Sequence, residues 1–394
     1  MADPVRKVTL ASGKVRYRTV VDAGRDENGR RIQITITKDT KKEVLAERGR
    51  ILHQRASGTL VAPSKVTVAE WIDEWLRLKS RDIEETTLST YTYALAPARE
   101  ELGHVRLQEL TEDQVQAFVD GLVTSGRKRG GEAGTALRVS YVKGTVQRLR
   151  ECLARAIVRK LITSNPAQFV KVSLADRKRD RKENTRAKPW NVDEVQEFVR
   201  GLERDRLYAP LLLSLMGLRP AEVVGIRWEH IDLKVGTLET LNTRTMLGSR
   251  VIEKDAKTDA GERVLPLPSK AADALKKFRA LQARERLAAG EGYTDSGYAV
   301  VNPLGEPVNT RQLRDYAYRI MSDLGMRKVR LYDARHSCLT YLAVIGVPDF
   351  VLARWAGHTS ASFTKAKYVH PDVEALRPAA TAWDQFHSAD TSQS

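Results

Sequence analysis

The spacing of hydrophobic and polar positions changes character along this chain, and each change marks a different kind of element. The opening segment has a period of two. Residues 14–22 and 30–38 alternate polar side chains with Tyr17, Val21, Ile32, Ile34 and Ile36, the pattern of strands with one face buried. Asp26, Glu27, Asn28 and Gly29 lie between them and supply hairpin-turn chemistry. A short run at 6–10, closed by Ser12 and Gly13, completes a predicted three-stranded sheet, and residues 40–53 read as a helix.

From residue 66 to about 172 the period lengthens to that of a helix. Thr67 caps a run in which Val68, Trp71, Ile72, Trp75 and Leu76 recur at helical spacing. Thr86, Thr87 and Leu88 open a second helix, Thr111 caps a third over 112–125, and a fourth covers 140–160 until Asn165-Pro166 stops it. Pro63 marks a linker at 61–65, and 127–134 is a basic, glycine-rich loop. These helices carry no obvious polar cluster, so the segment reads as a binding module.

Beyond residue 189 the pattern is mixed. Asn191 caps a helix to 200, residues 207–216 form a continuous apolar helix, and 236–246, 250–256 and 263–267 read as three strands of one sheet. Helices are predicted at 269–289, 310–324, 332–345, 348–356, 360–368 and 371–386. The last is amphipathic, with Val373, Leu376, Ala379, Ala380, Trp383 and Phe386 on one side. The expected fold is therefore multidomain α+β. It comprises a small three-stranded β domain at 1–60, a helical domain at 66–172, a basic linker at 173–188 and a mixed α/β domain at 189–394.

Charge narrows the class of partner. The chain of 394 residues has 66 Lys plus Arg against 50 Asp plus Glu, a formal net charge of +16, the footprint of a protein that neutralises phosphates. The excess is local: residues 1–60 hold 14 basic against 7 acidic side chains, and 171–188 hold 8 against 3. Strands such as those at 14–38 can enter a major groove, and they can equally be a basic hairpin with a solvated face. A charge run such as 171–188 is usually a solvated tether, and between two DNA-binding domains it would also touch the backbone. The two cysteines, Cys152 and Cys338, are far apart and argue against a disulfide framework or a thiolate metal site. Residues 1–10 have no signal-peptide core, and the most apolar stretch, 207–218, is too short to span a bilayer. A cytoplasmic, DNA-associated protein without a membrane partner is expected.

Four short segments of the last domain carry candidate chemistry. Gly217-Leu218-Arg219-Pro220-Ala221-Glu222-Val223 places Arg219 just before a helix-starting proline, beside free N–H groups that favour an anion; a surface pair with Glu222 would explain it as well. Lys257 lies in the turn Lys257-Thr258-Asp259-Ala260-Gly261 between two strands, and it matters chemically only if that turn reaches over a substrate. In Tyr332-Asp333-Ala334-Arg335-His336 the first and fourth residues share a helix face, His336 sits at its edge, and Ala334, Cys338, Leu342 and Ile345 are expected to bury the other side. Finally, Trp355-Ala356-Gly357-His358 precedes Lys367-Tyr368-Val369-His370, so that His358 sits in a turn and Tyr368 closes the next helix.

Each segment alone has an ordinary structural explanation. Their order is what stands out: Gly-Leu-Arg-Pro-Ala-Glu-Val, then a hairpin lysine, then Tyr-Asp-Ala-Arg-His, then Ala-Gly-His, then Tyr368. It resembles the catalytic domain of the tyrosine recombinases, the phage and mobile-element integrases. Residues 66–172 resemble that family's core-site-binding domain, and 1–60 its arm-site-binding domain.

The resemblance implies that Tyr368 attacks a DNA phosphorus, giving a 3′-phosphotyrosine and a free 5′-hydroxyl. The covalent bond conserves the phosphodiester energy, so neither ATP nor a metal cofactor is implied. Arg219 and Arg335 would hold the charge of the pentavalent transition state, Lys257 would protonate the leaving oxygen, and His358 would donate to the phosphate. Tyr332 departs from the family, which most often has histidine there; a phenol is a poor base at neutral pH, so Tyr332 is expected to orient phosphate or Tyr368. His336 receives no catalytic role, and Glu222 is expected to buttress an arginine or a histidine. The resemblance further implies a homotetramer working through a Holliday junction, with residues 371–386 docking on a neighbouring protomer. Core and arm attachment sites in double-stranded DNA, a DNA-bending factor and an excisionase complete the expected partners.

Three other readings fit part of the pattern. A chromosome-dimer resolvase of the same superfamily would share the catalytic residues without an arm-binding domain. A non-catalytic DNA-binding regulator would explain the charge. A metal-dependent nuclease could draw on His336, His358 and His370, although no carboxylate or cysteine cluster has ligand spacing.

Overall fold

The computed structural model describes residues 4–25, 31–128, 130–184, 189–255 and 261–360, with Ser362, Arg377 and Thr381. The chain divides into two compact units, Met1–Thr185 and Arg186–Ser394.

The first unit opens with strands β1 (Arg6–Thr9), β2 (Val15–Arg25) and β3 (Arg31–Lys38), joined as one antiparallel sheet in the order β1-β2-β3. Helix α1 (Lys41–Ala56) packs on β2 and β3. A capping box starts it: Thr40 accepts from the Glu43 N–H while Glu43 accepts from the Thr40 N–H. Val5, Val21, Ile36, Val44 and Ile51 form the small core between sheet and helix. The period-two alternation puts Arg6, Arg16, Arg18 and Thr37 on the register positions opposite that core, with Arg6 paired to Arg18 and Arg18 to Thr37.

The helical module follows as α2 (Val68–Lys79), α3 (Glu85–Glu101), α4 (Glu112–Ser125) and α5 (Val139–Val158). Capping boxes at Thr67 and Thr111 fix the starts of α2 and α4. Trp71, Ile72, Trp75, Phe118, Leu149 and Leu153 lie in its core, and the Trp71 indole donates to the Cys152 carbonyl at 2.9 Å. The segment at 61–65, expected as a linker, is held to this module by Gln108, which donates to the Ala62 and Leu161 carbonyls at 2.8 and 3.0 Å.

Residues 173–188, expected as a solvated tether, include a helix, α6 (Leu174–Glu183). Two residues on its inner side hold it to the module. Asp180 accepts from Arg138 at 3.0 Å, and Arg179 donates to the Val123 carbonyl at 2.6 Å. Arg177, Lys178, Arg181 and Lys182 face solvent.

The second unit begins with α7 (Val192–Leu202), α8 (Tyr208–Leu215) and the short α9 (Pro220–Val223). Strands β4 (Ile231–Asp232), β5 (Thr237–Thr240), β6 (Asn242–Leu247), β7 (Arg250–Asp255) and β8 (Arg263–Pro266) follow. Helices α10 (Ser269–Ala289), α11 (Thr310–Asp323), α12 (Leu331–Val344) and α13 (Asp349–Ala356) complete the described part. Helix α8 is the centre: its residues 209–214 are all buried, and α7, α10 and α12 pack around it.

The strands differ from the single three-stranded sheet expected from the sequence. The first segment breaks at Leu241 into β5 and β6; β5 lies between β4 and β8, while β6 pairs with β7 as a separate two-stranded sheet. The break has a packing cause. β5 turns Leu238 and Thr240 inward, whereas β6 leaves that sheet to pack on α9. There the Asn242 carbonyl approaches Gly225 so closely that a Cβ would sit 2.6 Å from its oxygen.

The apolar face of α12 also differs from expectation. Ala334 is buried, but Ile345 is 56% exposed, because the helix ends in a surface-facing turn beside Val344 and Phe350, which are exposed too. In its place the helix buries Asp333, Arg335 and His336. The expected helices at 360–368 and 371–386 lie outside the described residues apart from Ser362, Arg377 and Thr381.

Candidate active site

The site is built where the start of α9, the middle of α12 and the end of α13 meet. Gly217 makes the first turn, with φ at 103°, a conformation that side-chain-bearing residues rarely adopt. Its carbonyl accepts from Arg335 Nη1 at 2.6 Å. The preceding carbonyl, of Met216, accepts from the Trp355 indole at 2.7 Å. Two consecutive carbonyls of one turn are thus each held by a residue of a different helix.

Arg335 is fully buried. Besides Gly217 it donates to the Ala356 carbonyl, and its Nη2 lies 2.9 Å from His358 Nε2. A buried guanidinium surrounded by carbonyl oxygens keeps its charge and loses its freedom to rotate, which is what an electrostatic stabiliser needs.

Arg219, by contrast, is about one-third exposed. Its Nη1 donates to Glu222 Oε1 at 2.5 Å and its Nη2 to the Gly357 carbonyl at 2.9 Å. Arg219 and Arg335 therefore bind adjacent carbonyls, those of Gly357 and Ala356, at the end of α13. Gly357 closes that helix in the left-handed conformation, φ 63° and ψ 50°, which lets the His358 N–H return to the Ala353 carbonyl at 2.9 Å. The glycine thereby brings His358 to Arg335.

Glu222 is the anion at the centre. Its two oxygens accept from the Arg219 backbone N–H at 2.8 Å, from Arg219 Nη1, and from Arg263 Nη1 and Nη2 at 3.2 and 3.1 Å. Burial pushes its carboxyl up, but the Arg263 and Arg219 guanidiniums outweigh that and leave it below the ordinary glutamate value. The expectation that Glu222 holds an arginine or a histidine resolves to two arginines. Burial also pushes the Cys338 thiol up to about 12, with Arg335 countering only in part, so this neighbour stays a protonated packing group.

Tyr332 sits one turn before Arg335, half-buried, with its ring edge-on to His336 at 5.3 Å between centroids. His336 is itself buried, and Asp333 takes two hydrogen bonds from Arg330 at 2.8 and 3.0 Å. Of the predicted site residues, Arg219, Arg335 and His358 come together and Tyr332 lies on the same helix as Arg335. Lys257 and Tyr368 lie outside the described residues. Among the described residues, no three His, Cys, Asp or Glu side chains group as metal ligands.

Arg263 and Thr240 were not singled out from sequence, and Trp355 entered only as the first residue of the segment that carries His358, with no role of its own. Arg263 had a readable signal: β8 alternates buried and exposed from Arg263 to Pro266, so it shares the inward face with Leu265. A charged residue at an inward strand position needs a buried counter-charge.

Comparison with known proteins agrees with this architecture. Residues 191–375 match the model of the phage integrase family, and residues 67–123 match that of the phage integrase N-terminal SAM-like domain. A tyrosine recombinase XerC-like protein of Caldanaerobacter subterraneus subsp. tengcongensis is 26% identical over 377 residues, spanning 92% of this chain and 94% of that protein. Two solved structures share the fold. The Tn1549 transposon integrase in complex with transposon right end DNA superposes with a TM-score of 0.64 at 17% identity, over 81% of this chain and 99% of that one. A lambda integrase tetramer bound to a Holliday junction gives 0.57 at 17% identity, over 94% and 97%.

The fold and the two family matches define a DNA strand-transferring enzyme. The chain belongs to the phage integrase family of tyrosine recombinases.

Proposed function

We propose that this recombinase cuts and rejoins DNA through Tyr368, integrating and excising a mobile element. The observation that carries the reading is the convergence of Arg219, Arg335 and His358 around the carbonyls of Ala356 and Gly357. Two guanidiniums and an imidazole at one point are an anion site. A pentavalent phosphorane carries more negative charge on its oxygens than the phosphodiester does, so such donors favour the transition state over the ground state. Tyr368 gives its phenolic proton to water as it bonds to phosphorus, and the 5′-oxygen leaves with a proton from Lys257; the reverse steps join a new 5′-hydroxyl and return a proton to the phenol. Tyr332, edge-on to His336, orients the phosphate or the nucleophile.

The domain reading follows the same logic. Residues 1–60 bind arm-type sites, 66–172 together with the basic segment 173–188 bind core sites, and 189–394 perform the chemistry. The basic sheet face with Arg6, Arg16 and Arg18 supports the first assignment. Two duplexes exchanged through a Holliday junction require four cleavages, hence four copies of the chain, with residues 371–386 docking between neighbours. A DNA-bending factor and an excisionase set direction, and the enzyme works on DNA in the cytoplasm. No helix among the described residues is long and apolar enough to cross a membrane.

The test is a nicked suicide substrate, from which the cleaved fragment diffuses away and leaves the covalent complex. Wild type is expected to accumulate a protein–DNA adduct in EDTA, and Tyr368→Phe none, with DNA affinity nearly unchanged. Cleavage that survives Tyr368→Phe and stops in EDTA would replace this reading with a metal-dependent nuclease.

A further inference from the structure

Among the described residues of the second unit, Arg263 is one of the most fully engaged charged groups. Its side chain is fully buried, and it donates to four partners, three on α9, β5 and α13 and the fourth, Gly261, just before β8. Nε donates to the Trp355 carbonyl at 2.8 Å. Nη1 lies 3.1 to 3.2 Å from Glu222 Oε1, Thr240 Oγ1 and the Gly261 carbonyl. Nη2 reaches Glu222 Oε2 at 3.1 Å.

We infer that Arg263 is a positioning residue for strand cleavage: it shares the charge of Glu222 so that Arg219 remains available to the scissile phosphate, and it holds the backbone just before the turn that carries His358. The inference deepens the phosphotyrosine reading and rests on it.

Glu222 links the charges of the two arginines. Its single negative charge is divided between two guanidiniums, so Arg219, Glu222 and Arg263 together carry one positive charge. Without Arg263, both Glu222 oxygens would turn to Arg219. The pair would be neutral, and an incoming phosphate would have to displace a carboxylate from a buried ion pair, which is costly in a low-dielectric site. The difference in exposure fits this division of labour. Arg263 has no exposed side-chain surface, while Arg219 has about a third of its own. Both arginines hold the carboxylate, and only Arg219 also presents side-chain surface to the outside.

Arg263 also holds two backbone carbonyls. Trp355 precedes the Ala356-Gly357-His358 turn that receives both catalytic arginines. The Gly261 carbonyl also accepts from Thr240 Oγ1 at 2.9 Å, so it is held from two sides. One guanidinium therefore fixes the backbone just before the His358 turn and just before β8.

The test compares Arg263→Gln with wild type on two suicide substrates, one with the natural scissile phosphodiester and one with a methylphosphonate there. The methylphosphonate lacks the negative charge that Arg219 must balance. At saturating protein, Arg263→Gln is expected to cleave the phosphodiester about 100-fold more slowly, the size of a misplaced catalytic group. On the methylphosphonate it is expected to stay within about threefold of wild type. Equal losses on both substrates, or a folded, DNA-binding variant that cleaves the phosphodiester normally, would overturn the inference. If Arg263→Gln does not fold, Arg263→Met, which removes the cation and keeps most of the volume, is judged by the same ratio, and Arg263→Lys, which keeps a cation against Glu222, is expected to restore most of the phosphodiester rate. Wild type forming no adduct on either substrate would instead contradict the phosphotyrosine reading itself.

Discussion

Surface arginines of the first unit and two buried arginines of the second are held in opposite ways. In the first, Arg99 meets Asp73 at 2.7 Å with both side chains about half exposed, and Arg77 meets Glu74 on one helix face. In the second, Arg335 and Arg263 are fully buried and bound largely by backbone carbonyls and one shared carboxylate. Water competes with every contact of the surface pairs, so those arginines can exchange a carboxylate for a phosphate at little cost. The buried ones are fixed before substrate arrives. The contrast separates binding from chemistry: a mobile, screened charge serves affinity along a backbone, and an immobilised one serves a developing charge at one phosphorus.

The comparison breaks first at Arg335, if anywhere. Arg335→Ala is expected to lower single-turnover cleavage at saturating protein by roughly 100- to 1,000-fold, while leaving DNA affinity within a few-fold. A comparable loss of affinity would mean that the buried arginine serves binding as the surface ones do.

Glu222→Gln tests the buried side by stability. It leaves Arg219 and Arg263 facing each other without their anion, and removing one partner of a buried pair costs about 3–5 kcal/mol. The partial exposure of Arg219 puts the expectation near the lower end, read from urea denaturation. The pH dependence has a definite sign. The folded carboxyl of Glu222 lies below the ordinary value of 4.5, so its contribution is complete above that value and is lost as pH falls through the folded one. Wild type is expected to lose stability below pH 4.5 more steeply than Glu222→Gln; parallel curves would remove Glu222 as the source.

The smallest effect belongs to the surface pair. A double-mutant cycle on Asp73 and Arg99 is expected to give a coupling below about 1 kcal/mol that fades with salt. A larger, salt-insensitive coupling would erase the distinction between the units.

Much of this was legible from local chemistry. Thr67, Thr111 and Asn191 each carry a side-chain cap that a short stretch of sequence specifies, and helix α10 runs over the 269–289 span that the pattern predicted. The grouping of Arg219, Arg335 and His358 was legible only through their order along the chain, since nothing local to any one of them requires the others. What escaped depends on tertiary packing. The break between β5 and β6 comes from α9 drawing Asn242 toward Gly225, a contact between segments that sequence spacing does not register. Arg263 looked like one basic residue among many; only its parity with Leu265 marks it as inward. Ile345 fits an apolar periodicity yet stands exposed, because its helix reaches the surface in its last turn.

The claim beneath all of this is that one phenol takes the DNA strand while the arginines hold its phosphate. Digesting the wild-type adduct from a suicide substrate and identifying by mass spectrometry the peptide that carries the 3′-phosphoryl nucleotide measures it directly. The account predicts the modification on Tyr368, whereas a nucleotide on any other side chain would contradict it.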